Sequence, residues 1–235
     1  MLLLFLLSLF AGALTTLAGM GGGLILLLGL STAVDPLTAL VITGPALLVG
    51  NLHRLALYRR HVDHRLAWRF ALGAGPGALL GGLLAVGIPE MVLRIGMIAL
   101  AVVAAGKVLS GWRITTPPGA LVGGGALAGF VTATSGGGGL IAGPLWLSSG
   151  LTGRSYVATG AIGAASVHVA RMTGYGAGGV LDRDALLLGV LGALGIALGN
   201  LGGERLRRIT PSGWVPRLEI GVVVLCLGLA LVGLA

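Results

Sequence analysis

Gly19-Met20-Gly21-Gly22-Gly23-Leu24-Ile25 interrupts an apolar run from Leu2 to Val34, and Ser135-Gly136-Gly137-Gly138-Gly139-Leu140-Ile141 interrupts another from Ala120 to Ser149. Each glycine in a helix interior costs about 1 kcal/mol relative to alanine. A continuous helix through four of them is disfavoured, so each tract predicts a broken helix. Non-helical backbone at membrane depth survives only where protein surrounds it or where it lines a watery cavity. The N–H groups freed at the start of each second half-helix would then make an anion site.

The rest of the chain sets these tracts in a membrane. Of its 235 residues 56% are hydrophobic and 9% charged, with a mean hydropathy of +1.03. A soluble domain carries about 25% charged residues. The formal charge of +8 does not indicate nucleic-acid binding, because the arginines lie in short loops between apolar spans, the pattern of a cytoplasmic membrane face. Cys226 stands alone, which excludes a disulfide framework, and reads as a packing residue. The stretch Met1 to Ala18 lacks the basic start of a cleaved signal peptide and is expected to stay in the fold.

Between the tracts the chain alternates spans and turns. The spans expected in the first half are Leu37–Leu57, Leu66–Gly87 and Met91–Leu109, since about 20 helical residues cross the hydrocarbon. Gly73, Gly77 and Gly81 form a small-residue ridge for close helix packing. After a polar connection with Pro117-Pro118 the pattern starts again, with spans Thr152–Met172, Ala185–Leu201 and Leu218–Ala235. A shift of 116 residues superposes Gly21–Ile25 on Gly137–Ile141, Thr16 on Thr132, and Thr43-Gly44 on Thr159-Gly160. A shift of 117 pairs Arg54 with Arg171 and Tyr58 with Tyr175. This is an internal repeat, residues 1–118 and 119–235, within one membrane domain.

The basic residues choose between two layouts. If each broken run crosses the membrane once, nine Lys and Arg fall on one side and six on the other. If each run is a hairpin that enters and leaves on one side, the division becomes twelve against three, with Arg94, Arg171 and Arg183 the minority. The second layout satisfies the positive-inside rule. Each half then has an odd number of crossings. The expected fold is therefore all-α: two inverted repeats, each a glycine-broken helical hairpin followed by three transmembrane helices.

All seven acidic residues fall at loops or span edges. An interior without carboxylates favours an anion over a cation as cargo. The expected substrate-binding set is the two tracts (Gly19, Met20, Gly21, Gly22, Gly23 and Ser135, Gly136, Gly137, Gly138, Gly139), with Thr16, Thr43, Asn51, Thr132, Thr159 and His168. Arg54 and Arg171 are expected as guanidinium attractors at the two mouths of an anion path, the first near the cytoplasmic end and the second near the outer end. No metal set and no cofactor motif is legible. The tracts lack the Gly-Lys-Ser/Thr ending of a nucleotide loop. No nucleophile–base–orienter set indicates an enzyme. Trp68, Trp112, Trp146 and Trp214 lie near span ends and read as interfacial anchors.

These residues resemble the TauE/SafE sulfite exporter family, also called the toluene-sulfonate uptake permeases. The resemblance rests on Gly-Met-Gly-Gly-Gly-Leu-Ile at residues 19–25, Ser-Gly-Gly-Gly-Gly-Leu-Ile-Ala-Gly-Pro at 135–144, and the two-repeat frame. Leu28 departs from the proline the family often shows after its first tract. The resemblance implies a multi-pass inner-membrane transporter of sulfite, a sulfonate or a related sulfur anion. The expected partners are thus a small anion and the lipid bilayer, with self-association left open. The competing expectation is a non-transporting accessory or assembly subunit, in which the tracts only pack.

Overall fold

The computed structural model describes residues 1–18, 21–110, 116–117, 119–210 and 214–232. They form helices and turns, and no strand occurs among them. The first half contains α1 (Leu2–Ala18), α2 (Gly22–Ser31), α3 (Pro36–Tyr58), α4 (His64–Ala85) and α5 (Glu90–Ser110). The second contains α6 (Leu121–Ser135), α7 (Gly139–Ser148), α8 (Gly153–Ala177), α9 (Arg183–Ile209) and α10 (Val215–Val232).

Carboxylates at span edges start three of these helices. The side chains of Asp35, Asp63 and Asp182 accept the backbone N–H of Thr38, Leu66 and Ala185, at 2.9, 3.0 and 2.8 Å. Each satisfies a donor that the first helical turn leaves orphaned. Pro36 follows Asp35 at the first helical position, where its missing N–H costs nothing. The basic connection expected from Tyr58 to Arg65 shrinks to a 3-10 turn, Arg59–His61, and two residues, because the Asp63 cap starts α4 at His64. α8 passes its expected end at Met172 and continues to Ala177, until Gly178 and Gly179 (φ +76°) release the chain.

Both glycine tracts break their helices. Gly21 sits at φ +92°, and Gly136 and Gly137 at +72° and +63°. This left-handed backbone penalises any residue with a Cβ. Beyond each break the chain turns back on itself. A Cβ on Gly29 of α2 would lie 3.1 Å from Leu7 of α1, and one on Gly124 of α6 would lie 2.7 Å from Leu145 of α7. Such neighbours from opposite arms require a hairpin, since an in-line continuation would hold them far apart. The long arms, α1 and α6, have 17 and 15 residues, while the return arms have 10 each. The apolar residues of α2 point in all directions, and it is buried from Leu24 to Leu30.

Small residues set the rest of the packing. On α4, a Cβ at Gly73, Gly77 or Gly81 would collide with the carbonyl oxygens of Val122, Ala126 and Phe130, respectively, on α6. The expected ridge is thus the contact between these two helices, which run parallel. α9 repeats the device: Gly195, Gly199 and Gly203 press on the backbone of Phe5, Leu9 and Ala13 of α1. α3 runs parallel to α9, with Gly50 against Ile196 and Tyr58 bonded to Glu204. It runs antiparallel to α8, with Gly44 against Met172 and the Asp63 N–H, just past its end, bonded to Thr159. Pro36–His61, Glu90–Ser110 and Arg183–Ile209 are long and apolar enough to cross a membrane. Leu80, Val102, Leu187 and Val190 project outward, as lipid-facing residues do.

The ridge makes a paired prediction. Gly77→Ala should lower stability by about 1–3 kcal/mol through overpacking. Gly75→Ala, with open space around the added carbon, should be neutral or slightly stabilising. Thermal unfolding of the two variants in detergent checks the difference.

Candidate functional site

Both breaks face one interior cavity of about 510 Å³. Its wall includes Gly21 and Gly23 of the first tract and Gly136 to Gly139 of the second. Leu27, on the return arm of the first hairpin, covers Gly136 at the turn of the second. The two breaks thus overlap along the cavity. By helix geometry the opening N–H groups of α2 and α7 have no acceptor in their own helices.

α3 and α8 bring the polar side chains to the same space. Thr43, Asn51 and Arg54 project from α3, and His168 and Arg171 from α8. Arg54 Nη2 donates to Asn51 Oδ1 at 2.7 Å. Arg171, only 1% exposed, donates over 3.5 Å to Thr43 Oγ1 and to the Thr132 carbonyl. The Nε atoms of both arginines and Nδ1 of His168 are buried with no hydrogen-bond partner among the described residues. The ion pairs among those residues are Arg94–Glu90 at 2.7 Å and Arg208–Glu204 at 3.9 Å, both elsewhere. Neither Arg54 nor Arg171 therefore has a carboxylate partner among the described residues. Burying an uncompensated charge is costly, so this arrangement is suited to a counter-charge brought by a ligand.

The hydroxyls in the wall have another orientation. Thr43 Oγ1 donates to the Leu40 carbonyl at 3.0 Å and Thr132 Oγ1 to that of Ala128 at 2.6 Å. Their protons face the backbone. The groups left for an anion include the guanidinium groups, the tract amides and the His168 ring.

Several expected positions lie elsewhere. Arg171, expected at an outer mouth, is wholly interior, because α8 extends beyond Met172 and moves that position inward. Gly22 is buried against Thr15 and Ala11 of its own hairpin. Ser135 lies beside Gly96 of α5. Thr159 is buried, and its Oγ1 accepts the Asp63 N–H at 3.0 Å, tying α8 to the connection before α4. Gly19 and Met20 lie outside the described residues, as does Trp112. Thr16 reaches the wall, and its hydroxyl meets both the Gly12 carbonyl and Asn200 Oδ1, each at 3.1 Å.

Trp146 and Asn200 are wall residues that were not among the expected site residues. Trp146, expected as an interfacial anchor, is 3% exposed and packs on Phe70 with ring centroids 4.6 Å apart. Gly160 and Gly163 of α8 make room for it. Trp68 and Trp214 are exposed, as an interfacial role requires. Asn200, 1% exposed, joins the Thr16 hydroxyl to the Gly50 carbonyl and approaches His53 at 3.5 Å. A lone amide in the apolar run of α9 was its signal, since polar residues inside spans are expensive. Cys226 also lies on the wall, as a buried packing residue.

The cavity is one-sided. Leu57, Tyr58, Gly153, Arg154 and Arg207 edge it where α3 and α9 end and α8 begins. Towards the other ends of α3 and α8 it stops at Thr43 and Arg171.

An all-helical, multi-pass membrane protein with a cation-lined interior cavity is the class these features define. The family model for the sulfite exporter TauE/SafE matches residues 4–231. The chain belongs to that family, whose members are membrane transporters of sulfite and related anions. No curated protein and no solved structure matches it.

A buried charge without a counter-charge is costly, and an apolar side chain of similar length relieves that cost. Arg171→Met should therefore unfold at an equal or higher temperature than the parent without anion. It should also lose any rise in unfolding temperature that sulfite gives the parent. Thermal scans with and without sulfite measure both.

Proposed function

We propose that this protein is a secondary transporter of a small sulfur-containing anion, such as sulfite or an organosulfonate, in the inner membrane. Alternating access would arise from two inverted repeats, residues 1–118 and 119–235, rocking about the shared cavity. The observation that carries the reading is the pair of carboxylate-free arginines facing both glycine breaks in one cavity. A subunit that only packs has no use for a buried charge of that kind.

Exchange of neighbours between the halves supports the repeat. α1 packs on α9 as α6 packs on α4, and α3 packs on α9 as α8 packs on α4. α3 meets α8, and α5 meets α10, each the counterpart of the other. Since each hairpin returns to the side it entered, the two halves would run in opposite senses. The antiparallel course of α3 and α8 agrees with that.

The same geometry bears on direction. An inside-negative potential favours outward movement of an anion by about 2.3 kcal/mol per charge per 100 mV. Export then needs no coupling ion, which suits an interior lined by arginines and free of carboxylates.

Purified protein in liposomes tests this. Labelled sulfite, a sulfonate or thiosulfate should cross faster than in empty vesicles. Failure of all three overturns the reading. Gly138→Leu should abolish that flux while the protein still inserts, because the added carbon meets Thr132 Oγ1 and the Ala128 carbonyl at the turn of the hairpin.

A further inference from the structure

The two halves hold the same residues in different bonding states. Tyr175 of α8 donates its hydroxyl to the Ala133 carbonyl at 2.6 Å, and Arg171 reaches the neighbouring Thr132 carbonyl. Both carbonyls belong to the last turn of α6, at the bend of the second hairpin. Arg171 and Tyr175 lie one turn apart on α8, and both are fully buried. They clamp that bend where the cavity is closed. Their repeat mates, Arg54 and Tyr58 of α3, hold no hairpin. Arg54 bonds Asn51 of its own helix. The Tyr58 hydroxyl donates to Glu204 Oε2 at 3.0 Å. That end is where the cavity is open.

We infer that Tyr175 and Tyr58 are reciprocal latches: each closes its own end of the cavity by donating to its hairpin bend, and Glu204 holds the Tyr58 latch off. The inference rests on the inverted-repeat reading above. In the opposite-facing state Tyr58 would leave Glu204 for the carbonyls around Thr16, the counterparts of Ala133 and Thr132, while Tyr175 lets go. A hydrogen bond to an ionised carboxylate is roughly twice as strong as one to a neutral carbonyl. Glu204 therefore biases the protein towards the open arrangement seen here. Position 204 falls on α9, whose counterpart α4 carries Gly81 and Gly82 at the same end of its glycine ridge. The second latch thus has no matching trap, and the two states are unequal by design of the sequence.

Cysteine accessibility in lipid nanodiscs tests this without requiring flux. The probe thiol is Val157→Cys, on the cavity wall near its mouth, in a Cys226→Ser background, with a membrane-impermeant maleimide. Adding Glu204→Gln should slow its modification about fivefold, as a two-state balance shifts when one charge-assisted hydrogen bond becomes neutral. Tyr175→Phe, which removes the engaged latch, should slow it in the same direction. In a Tyr58→Phe background Glu204→Gln should have no effect, because the switch it controls is gone. Loss of a nearby carboxylate alone makes a thiol more reactive, so slowing has the sign that a local charge effect lacks. Unchanged or faster modification with Glu204→Gln, or an equal slowing with and without the Tyr58 hydroxyl, overturns the latch. Such a result with anion flux intact leaves the transport reading standing, and normal slowing without flux does the reverse.

Discussion

A peptide chain in hydrocarbon satisfies its polar groups by staying helical, and it can leave the helix only where something else receives them. The left-handed glycines at 21, 136 and 137 are where this chain leaves it. From that constraint the rest follows. A break inside a membrane needs a polar neighbourhood, so the two breaks share one cavity. Their exposed amides carry partial positive charge, so the cavity suits an anion. The hairpins need a close fit, so the return arm α2 is wrapped on all sides and the long arm α6 presses against glycines of α4.

The guanidinium groups deepen the same bias. Two arginines with no acidic partner would repel each other and any third cation in the low dielectric of the interior. His168 shares the wall with them, and its Nδ1 has no partner among the described residues. The threonines contribute lone pairs more than protons. Under the proposed transport, selectivity would rest on charge and on the fixed fork of Arg171 more than on a shell of hydroxyls. Such a site distinguishes anions from cations strongly and one oxyanion from another by shape. The apolar wall, with Phe70 and Trp146 in tilted contact and Leu24 and Leu27 close by, would supply that shape.

Much of this was legible in the residues, for identifiable reasons. Glycine tracts advertise a break because their cost is local and needs no partner. The Gly73–Gly77–Gly81 ridge was readable from spacing alone, and so was the placing of most carboxylates at loops and span edges, though Glu204 falls inside a longer α9 than expected. Depth was not readable. Arg171 looked like a residue near a span end, since the run of apolar residues after it is short. The helix continues through Thr173 and Tyr175, and that buries it. Trp146 misled for a related reason. Its place near the end of an apolar run fits an anchor, but on α7 its ring turns inward against Phe70, while Leu147 beside it is exposed. The Thr16–Asn200–Gly50 link joins three helices distant in sequence, and no periodicity encodes it.

The asymmetry between the halves is the last consequence. A perfect sequence repeat would make the two faces of the cavity equal in energy, and the protein would rest at neither. Here the halves agree at Arg54 and Arg171 and at Tyr58 and Tyr175, and they differ in what surrounds them. Asn51 answers His168, and Glu204 stands where α4 has only glycine. In the proposed alternation, each difference would change a hydrogen bond that one state makes and the other lacks. A ligand shifts such a balance only by its differential affinity for the two states. Under the proposed alternating access, the resting bias would therefore lie in the residues that break the repeat, and the ability to move in those that keep it.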